Sequence, residues 1–431
     1  MDALLLIPLM FRGLWEHHLS CHYNAPFILI MSIIVFNYIL ERILSLLNTG
    51  HYDKELPEEV RDVYDKEQYD KSQQYKKVNE RFSLLTSTIS FILIITILLF
   101  HIFGYIDQVV RSVTSNPILV ALLFFSVIML ASDIINTPLA LYDTFVIEEK
   151  FGFNKTTLKT YFTDKLKGWL IAAVLGGGMT ALIIWFYLLT REHFWIYAWI
   201  AVSCIMVFIT MFYSTLIVPL FNKQTPLEEG ELRTAINEFC RKVGFKLDNV
   251  FVIDGSRRST KSNAYFTGLG PKKRIVLYDT LIEDLSIKEI VAVLAHEIGH
   301  YKKKHTLINI PLGILQTGIT LYVFSLFTVN PMLSWALGAK VHSIHMVILA
   351  FGIIYSPIST VVGLALNYLS RSFEYQADRF VKQNYQPKYL ITALKKLSSK
   401  NLSNLTPHPV YVFFHYSHPT LLQRIKALNK K

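Results

Sequence analysis

The chain carries seven apolar stretches that contain no Asp, Glu, Lys or Arg, and nothing else in it limits the fold as strongly. They run roughly over Cys21–Leu40, Leu84–Ile106, Val113–Ser132, Gly168–Thr190, Trp195–Leu220, Thr306–Phe327 and Val341–Ser370. A helix of about 20 such residues crosses the roughly 30 Å hydrocarbon core of a bilayer. Within lipid the backbone must satisfy its own hydrogen bonds, so helix is the expected form. The sixth boundary is soft, because no charge occurs from Thr306 to Ala339. Only 17% of the 431 residues are charged and 52% are hydrophobic, against roughly 25% charged in soluble domains. The expected fold class is therefore an all-α polytopic membrane protein.

The basic residues set its orientation. Of the 43 Lys and Arg, all but Arg12, Arg111, Arg191 and Lys340 lie in the connections 41–83, 133–167, 221–305 and 371–431. Cytoplasmic loops hold such an excess, so these connections are assigned inside, with the N-terminus outside and the C-terminus cytoplasmic. The net charge of +11 is then a mark of topology, and no nucleic-acid partner is expected. Nothing in the sequence implies an oligomer. Cys21, Cys204 and Cys240 are far apart and form no CxxC, which argues against a disulfide framework or a cysteine metal site. The N-terminal apolar run has Arg12 after it, the reverse of a secretory signal.

Four regions follow: spans one to five (1–220), a cytoplasmic insertion (221–305), spans six and seven (306–370) and a cytoplasmic helical tail (371–431). Residues 51–82 mix both charge signs at helical spacing and are expected as solvated helix. In the insertion, VFVID (250–254) and RIVLYDT (274–280) are rich in Val, Ile and Tyr and are expected as strands. The stretch from Ser286 to His305 is expected as a helix, with Ser286 as N-cap and Glu289 completing a capping box. The insertion is thus a small α+β domain.

That helix contains HEIGH. Residues four apart share a helical face, so His296 and His300 can supply two of the three protein ligands of a catalytic zinc. Glu297 can then reach a reactive water as general base. Gly299 leaves room for another element to approach. The third ligand must come from elsewhere. His305 is one turn too far along, so Glu374 in NYLSRSFEYQADRF (367–380) is assigned, since this segment returns to the same membrane face. Asp378, one turn on, would orient a histidine ligand through its other nitrogen. In the tail, His418 and Arg424 are candidates to stabilise an oxyanion. SNAYFTGLG (262–270) can form an exposed edge strand that binds extended peptide, with Asn263 and Tyr265 in it.

Taken together, these residues resemble the type I CAAX prenyl endopeptidases, zinc-dependent integral membrane enzymes. The likeness rests on LPEEVRDVYDKEQYDKSQQY, LYDTFVIEEKFGFNKTTLKTYFTDKLK (141–167), IVPLFNKQTPLEEGELR (217–233), SNAYFTG, LAHEIGHYKKKH, SRSFEYQADRF and YSHPTLLQRI, in the expected order along nearly the whole chain. The resemblance implies seven long helices enclosing a chamber, capped by a zincin-like cytoplasmic metalloprotease domain. It implies one Zn2+ on His296, His300 and Glu374, with Glu297 as base. It supports roles for Asn263, Asp378, His418 and Arg424 around the substrate. It also implies peptide or protein substrates, typically isoprenylated CAAX proteins that lose their last three residues. The membrane would be the ER of a eukaryote or the inner membrane of a bacterium. The 328–340 connection and the tail are shorter than eukaryotic members tend to have. Two other readings are a quality-control membrane protease without prenyl preference, and a non-catalytic scaffold or transporter with structural zinc.

Overall fold

The computed structural model describes residues 24–52, 54–246, 250–267 and 274–430. Helix α1 (Ala25–Thr49) starts where Asn24 accepts a hydrogen bond from the Phe27 amide, with Pro26 in the first turn, where its missing N–H costs nothing. Asp65 caps α2 (Lys66–Leu99) in the same way, through the Gln68 amide at 2.8 Å. This helix runs from the charged segment straight into the apolar stretch. It ends at His101, which is left-handed with φ 52°, and a separate amphipathic helix, α3 (Ile102–Val113), follows. Asn116 caps α4 (Pro117–Tyr142), which passes into a π-helical turn over Asp143–Glu148.

Two sequence boundaries are corrected here. The second span stops at Leu99 rather than Ile106, and 107–112 is the body of α3 rather than a loop. Apolar count alone cannot see this, because Asp107 in α3 is buried and bonded to Arg111 and His345. The third span begins at Pro117 rather than Val113, since the Asn116 cap fixes the start.

From Leu158 to Phe221 the chain is helical and apolar over 64 residues. Within it α5 (Leu158–Ile171), α6 (Gly178–Thr190) and α7 (Phe194–Phe212) are separated by a π-turn and by a break at Arg191, φ 49°. Phe186 stacks on Tyr197, and Tyr187 meets Phe194 edge-on, so α6 and α7 lie side by side across the break.

Among the described residues the 221–305 insertion holds a four-stranded sheet in the order β1-β2-β4-β3: β1 (Gln224–Pro226), β2 (Val250–Ile253), β3 (Ala264–Thr267) and β4 (Arg274–Tyr278). The β2–β4 pair is parallel; β1 and β3 pair antiparallel at the two edges. Sequence patterning finds β2 and β4 and allows β3 as an edge strand, while β1 has only three residues. One face of the sheet (Val250, Ile275, Leu277) joins a core with Ile236 and Phe239 of α8 (Glu231–Lys242) and with Ile290, Leu294 and Ile298 of α9 (Ile287–Lys302). The other face (Ile253, Val276) packs on Val218 at the membrane end of the preceding helix. The capping box of α9 forms as expected: Glu289 accepts from the Ser286 amide at 2.7 Å and from Lys396 at 2.8 Å.

Lys304, left-handed at φ 60°, turns the chain from α9 into α10 (His305–Phe327). The last apolar stretch is not one straight rod. It divides into α11 (Ile344–Ile354) and α12 (Ser356–Asn384), bent by 53° next to Pro357. The segment bearing Glu374 is a continuation of α12 itself. Helices α13 (Pro387–Lys400) and α14 (Leu421–Asn429) complete the tail. Among the described residues five helices are long and apolar enough to cross a membrane, or six with the bent pair counted as one.

Candidate metal centre

Helix α9 is held rigidly at its start by the capping box and along one side by the sheet. The opposite side crosses α12 at Gly299, where a Cβ would lie 3.1 Å from the Cα of Ala377 and from the Cβ of Phe380. Two helices brought this close place their side chains in direct contact. His296 Nε2 is 3.1 Å from His300 Nε2. Glu374 Oε2 is 3.3 Å from His296 Nε2, and Oε1 is 3.2 Å from His300 Nε2. Zinc bonds of about 2.0–2.1 Å in a tetrahedron hold ligand atoms roughly 3.3–3.4 Å apart. The three donors therefore surround a space of the right size for one ion. Glu374 Oε2 is buried without a hydrogen bond of good geometry among the described residues, as a donor to a cation would be.

Behind the first histidine lies a buried charge pair. Asp378 Oδ1 is 2.9 Å from His296 Nδ1. Arg424 grips Asp378 with two bonds, Nε to Oδ2 at 2.9 Å and Nη2 to Oδ1 at 2.6 Å, and Nη1 lies 3.5 Å from Glu374. Burial and the Arg424 charge both disfavour protonated His296, yet Asp378 and Glu374 outweigh them and lift its pKa to about 9. The pocket is thus built to hold positive charge between these groups. His305 backs the second histidine: its Nδ1 lies 3.0 Å from His300 Nδ1 and its ring stacks on Phe373 at 4.1 Å.

The other candidates separate clearly. Glu297 is half-buried, beside His296 on α9. His418 stands at the open side of the site, 63% exposed, with Nε2 3.4 Å from Glu374 Oε1. Asn263 is exposed just before edge strand β3, with its Oδ1 accepting from the Ala264 amide. Tyr265 pairs with Val276, on the sheet face away from α9, and packs with Tyr278 and Ser214. Burial, with Tyr278 and Tyr213 beside it, pushes its phenol up to about 12. The Arg424 clamp on Asp378 and the His305 contact escape sequence reasoning. The clue to the first is an arginine in the stripe Leu421, Arg424, Leu428, whose spacing puts it on a core-facing side.

A HExxH helix and a membrane-derived helix joined through a His/His/Glu cluster define a class, the integral membrane metallopeptidases. Residues 47–223 fit the family model "CAAX prenyl protease N-terminal, five membrane helices", and residues 226–431 fit "Peptidase family M48". CAAX prenyl protease 1 of Saccharomyces cerevisiae is 33% identical over 446 residues, covering 95% of this chain and 96% of the relative. The homologue of Arabidopsis thaliana is 34% identical, covering 93% and 96%, and that of Homo sapiens 31%, covering 86% and 88%. A crystal structure of S. mikatae Ste24p superposes with a TM-score of 0.88 at 32% identity, covering 95% of this chain and all of that one. The chain belongs to the CAAX prenyl protease 1 family of M48 peptidases, and it is a membrane zinc metalloendopeptidase.

Proposed function

We propose that His296, His300 and Glu374 hold one zinc ion and that the enzyme removes the last three residues of isoprenylated CAAX proteins. The observation that carries this reading is the cluster of His296 Nε2, His300 Nε2 and the two oxygens of Glu374, with contacts of 3.1–3.3 Å, presented by two helices from opposite sides. A zinc ion there supplies Lewis acidity, polarising the scissile carbonyl and acidifying water. Glu297 takes the proton of the attacking water and returns it to the leaving amine. Exposed His418 donates to the oxyanion. Arg424 is spent on Asp378 and acts behind the ligands, keeping His296 oriented. The substrate backbone pairs with the free edge of β3, beside Asn263. Tyr265 supports that strand from its far face.

The seven-span reading counts Leu158–Phe221 as two crossings and α11–α12 as one. A 64-residue helix would be about 96 Å long, about three times the hydrocarbon core, so the Arg191 break serves as a hairpin turn. The apolar windows of these helices are only 6–17% buried, which suits spans standing around a chamber large enough for a lipid chain. The sheet and α9 form the cytoplasmic protease domain, with the tail closing the site.

The test uses purified enzyme, metal analysis and mass spectrometry of farnesylated and unmodified CAAX peptides. Wild type is expected to hold one zinc and to release a tripeptide from the farnesylated peptide. Glu297→Gln is expected to keep the zinc and lose at least about 100-fold in kcat. Full turnover by the variant removes Glu297 as base; equal cleavage of both peptides removes the prenyl preference.

A further inference from the structure

A cleft of about 940 Å³ opens behind the metal centre, where the end of α9, the middle of α12 and the end of α14 meet. Lys303, Arg379, Lys382 and Lys430 line it, with Ser372 and Tyr375 as further hydrogen-bonding groups. None of the four cations has an acidic partner among the described residues. Lys382 bonds only the Lys430 carbonyl, which leaves its charge uncompensated. The one acid on the wall is Asp378, and it is already committed to Arg424 and His296. Four like charges converging on one concave space repel one another, and an anion entering it removes that repulsion.

The place of the cleft indicates what the anion is. Lys303 lies two residues before α10 enters the apolar zone, and Ser372 two residues after the uncharged stretch ends at Ser370. The cleft is therefore at the level of lipid headgroups, on the side that the basic residues mark as cytoplasmic. Basic pockets in this position recognise anionic headgroups, and a tethered phosphate is presented there at high local concentration. We propose that this cleft binds the phosphate headgroup of an anionic phospholipid of the cytoplasmic leaflet. The occupant would sit one side chain from the metal ligands, because the wall residues Asp378 and Gln376 reach His296 and His305 respectively. The proposal rests on the membrane orientation and not on the protease reading, and its readout is lipid binding.

The full chain is reconstituted in nanodiscs of phosphatidylcholine with a minor fraction of fluorescent phosphatidate, and quenching is titrated. Wild type is expected to show saturable binding. Each cation removed costs about fivefold, so Arg379→Gln with Lys382→Gln is expected to weaken binding roughly 25-fold. Lys303→Gln alone serves as a second, milder variant with about a fivefold loss. The control pair Lys66→Gln with Lys71→Gln, on the cytoplasmic start of α2, is expected to change nothing. Equal losses in the control pair would mean diffuse surface attraction and overturn the cleft. Glycerol 3-phosphate binding as tightly as phosphatidate would overturn the lipid in favour of a free phosphate. Wild-type affinity in both cleft variants would also sink the proposal.

Discussion

Asp378 ties the first histidine of the cluster to the tail helix. It accepts from His296 on one side and from the Arg424 guanidinium on the other. Partners of this kind fix ring orientation, and their loss typically costs 10–100-fold in metal affinity. Asp378→Asn is therefore expected to weaken zinc binding by about that factor, with the ligands intact. Arg424→Ala leaves the buried Asp378 charge with only His296 beside it, and losing one side of a buried ion pair costs up to about 3–5 kcal/mol, so it is expected to lower thermal stability in detergent as well. Metal titration and melting of the two variants separate these effects; a wild-type affinity in Asp378→Asn would show that Asp378 does not orient His296. The proposed ligands, which the structure gathers into one cluster, are legible in the sequence. HEIGH declares two of them by spacing, and Glu374 is found by following the chain back to the same membrane face. The clamp is not legible, because it depends on α14 crossing α12, a contact between residues 46 positions apart. His305 stays outside the proposed ligand set, but its contact is hidden from spacing: the left-handed Lys304 turns it back onto His300.

At the scale of elements, the site is the crossing of α9 and α12. Sequence patterning finds α9 with its cap. It places Glu374 after the last span, whereas α12 carries the span and the ligand on one rigid rod. The crossing is close because residue 299 has no side chain, as the sequence suggests. A methyl group there would meet the Ala377 backbone at 3.1–3.2 Å, and backbone cannot swing aside. Gly299→Ala is thus expected to push the helices apart by a few tenths of an ångström at about 1–3 kcal/mol of overpacking. The imidazoles would retreat from Glu374, and zinc affinity is expected to fall about tenfold, although no ligand has changed. Isothermal titration of zinc into the apo-variant checks this; unchanged affinity would show that the ligands do not depend on the spacing of the helices. The edge strand β3 falls within the stretch expected to form one, whereas β1 lies outside what patterning can find. With three residues it lacks room for an alternation, and pairing with β2 makes it a strand.

For the whole molecule, the sequence reveals the membrane class more readily than the path between spans. Uncharged length and the basic asymmetry are additive properties of composition. Breaks at His101 and Arg191 are single backbone choices, both at positive φ in non-glycine residues, and no local signal marks them. The far end of the molecule is tied together by one such hidden contact: Asp107 on α3 meets His345 on α11 at 2.8 Å, and Gly104 packs directly on Gly338. The proposed path through the membrane makes opposite demands on the two ends of the Trp195–Leu220 span. In a variant with Cys21, Cys204 and Cys240 replaced, a cysteine at Glu192 is expected to react with an impermeant maleimide from the non-cytoplasmic side. A cysteine at Lys223, next to β1, is expected to react from the cytoplasmic side. Labelling of sealed vesicles of known orientation reads both positions directly. Reaction of both from the same side would mean that Arg191 does not mark a hairpin turn between two crossings, and the span count would fall below seven.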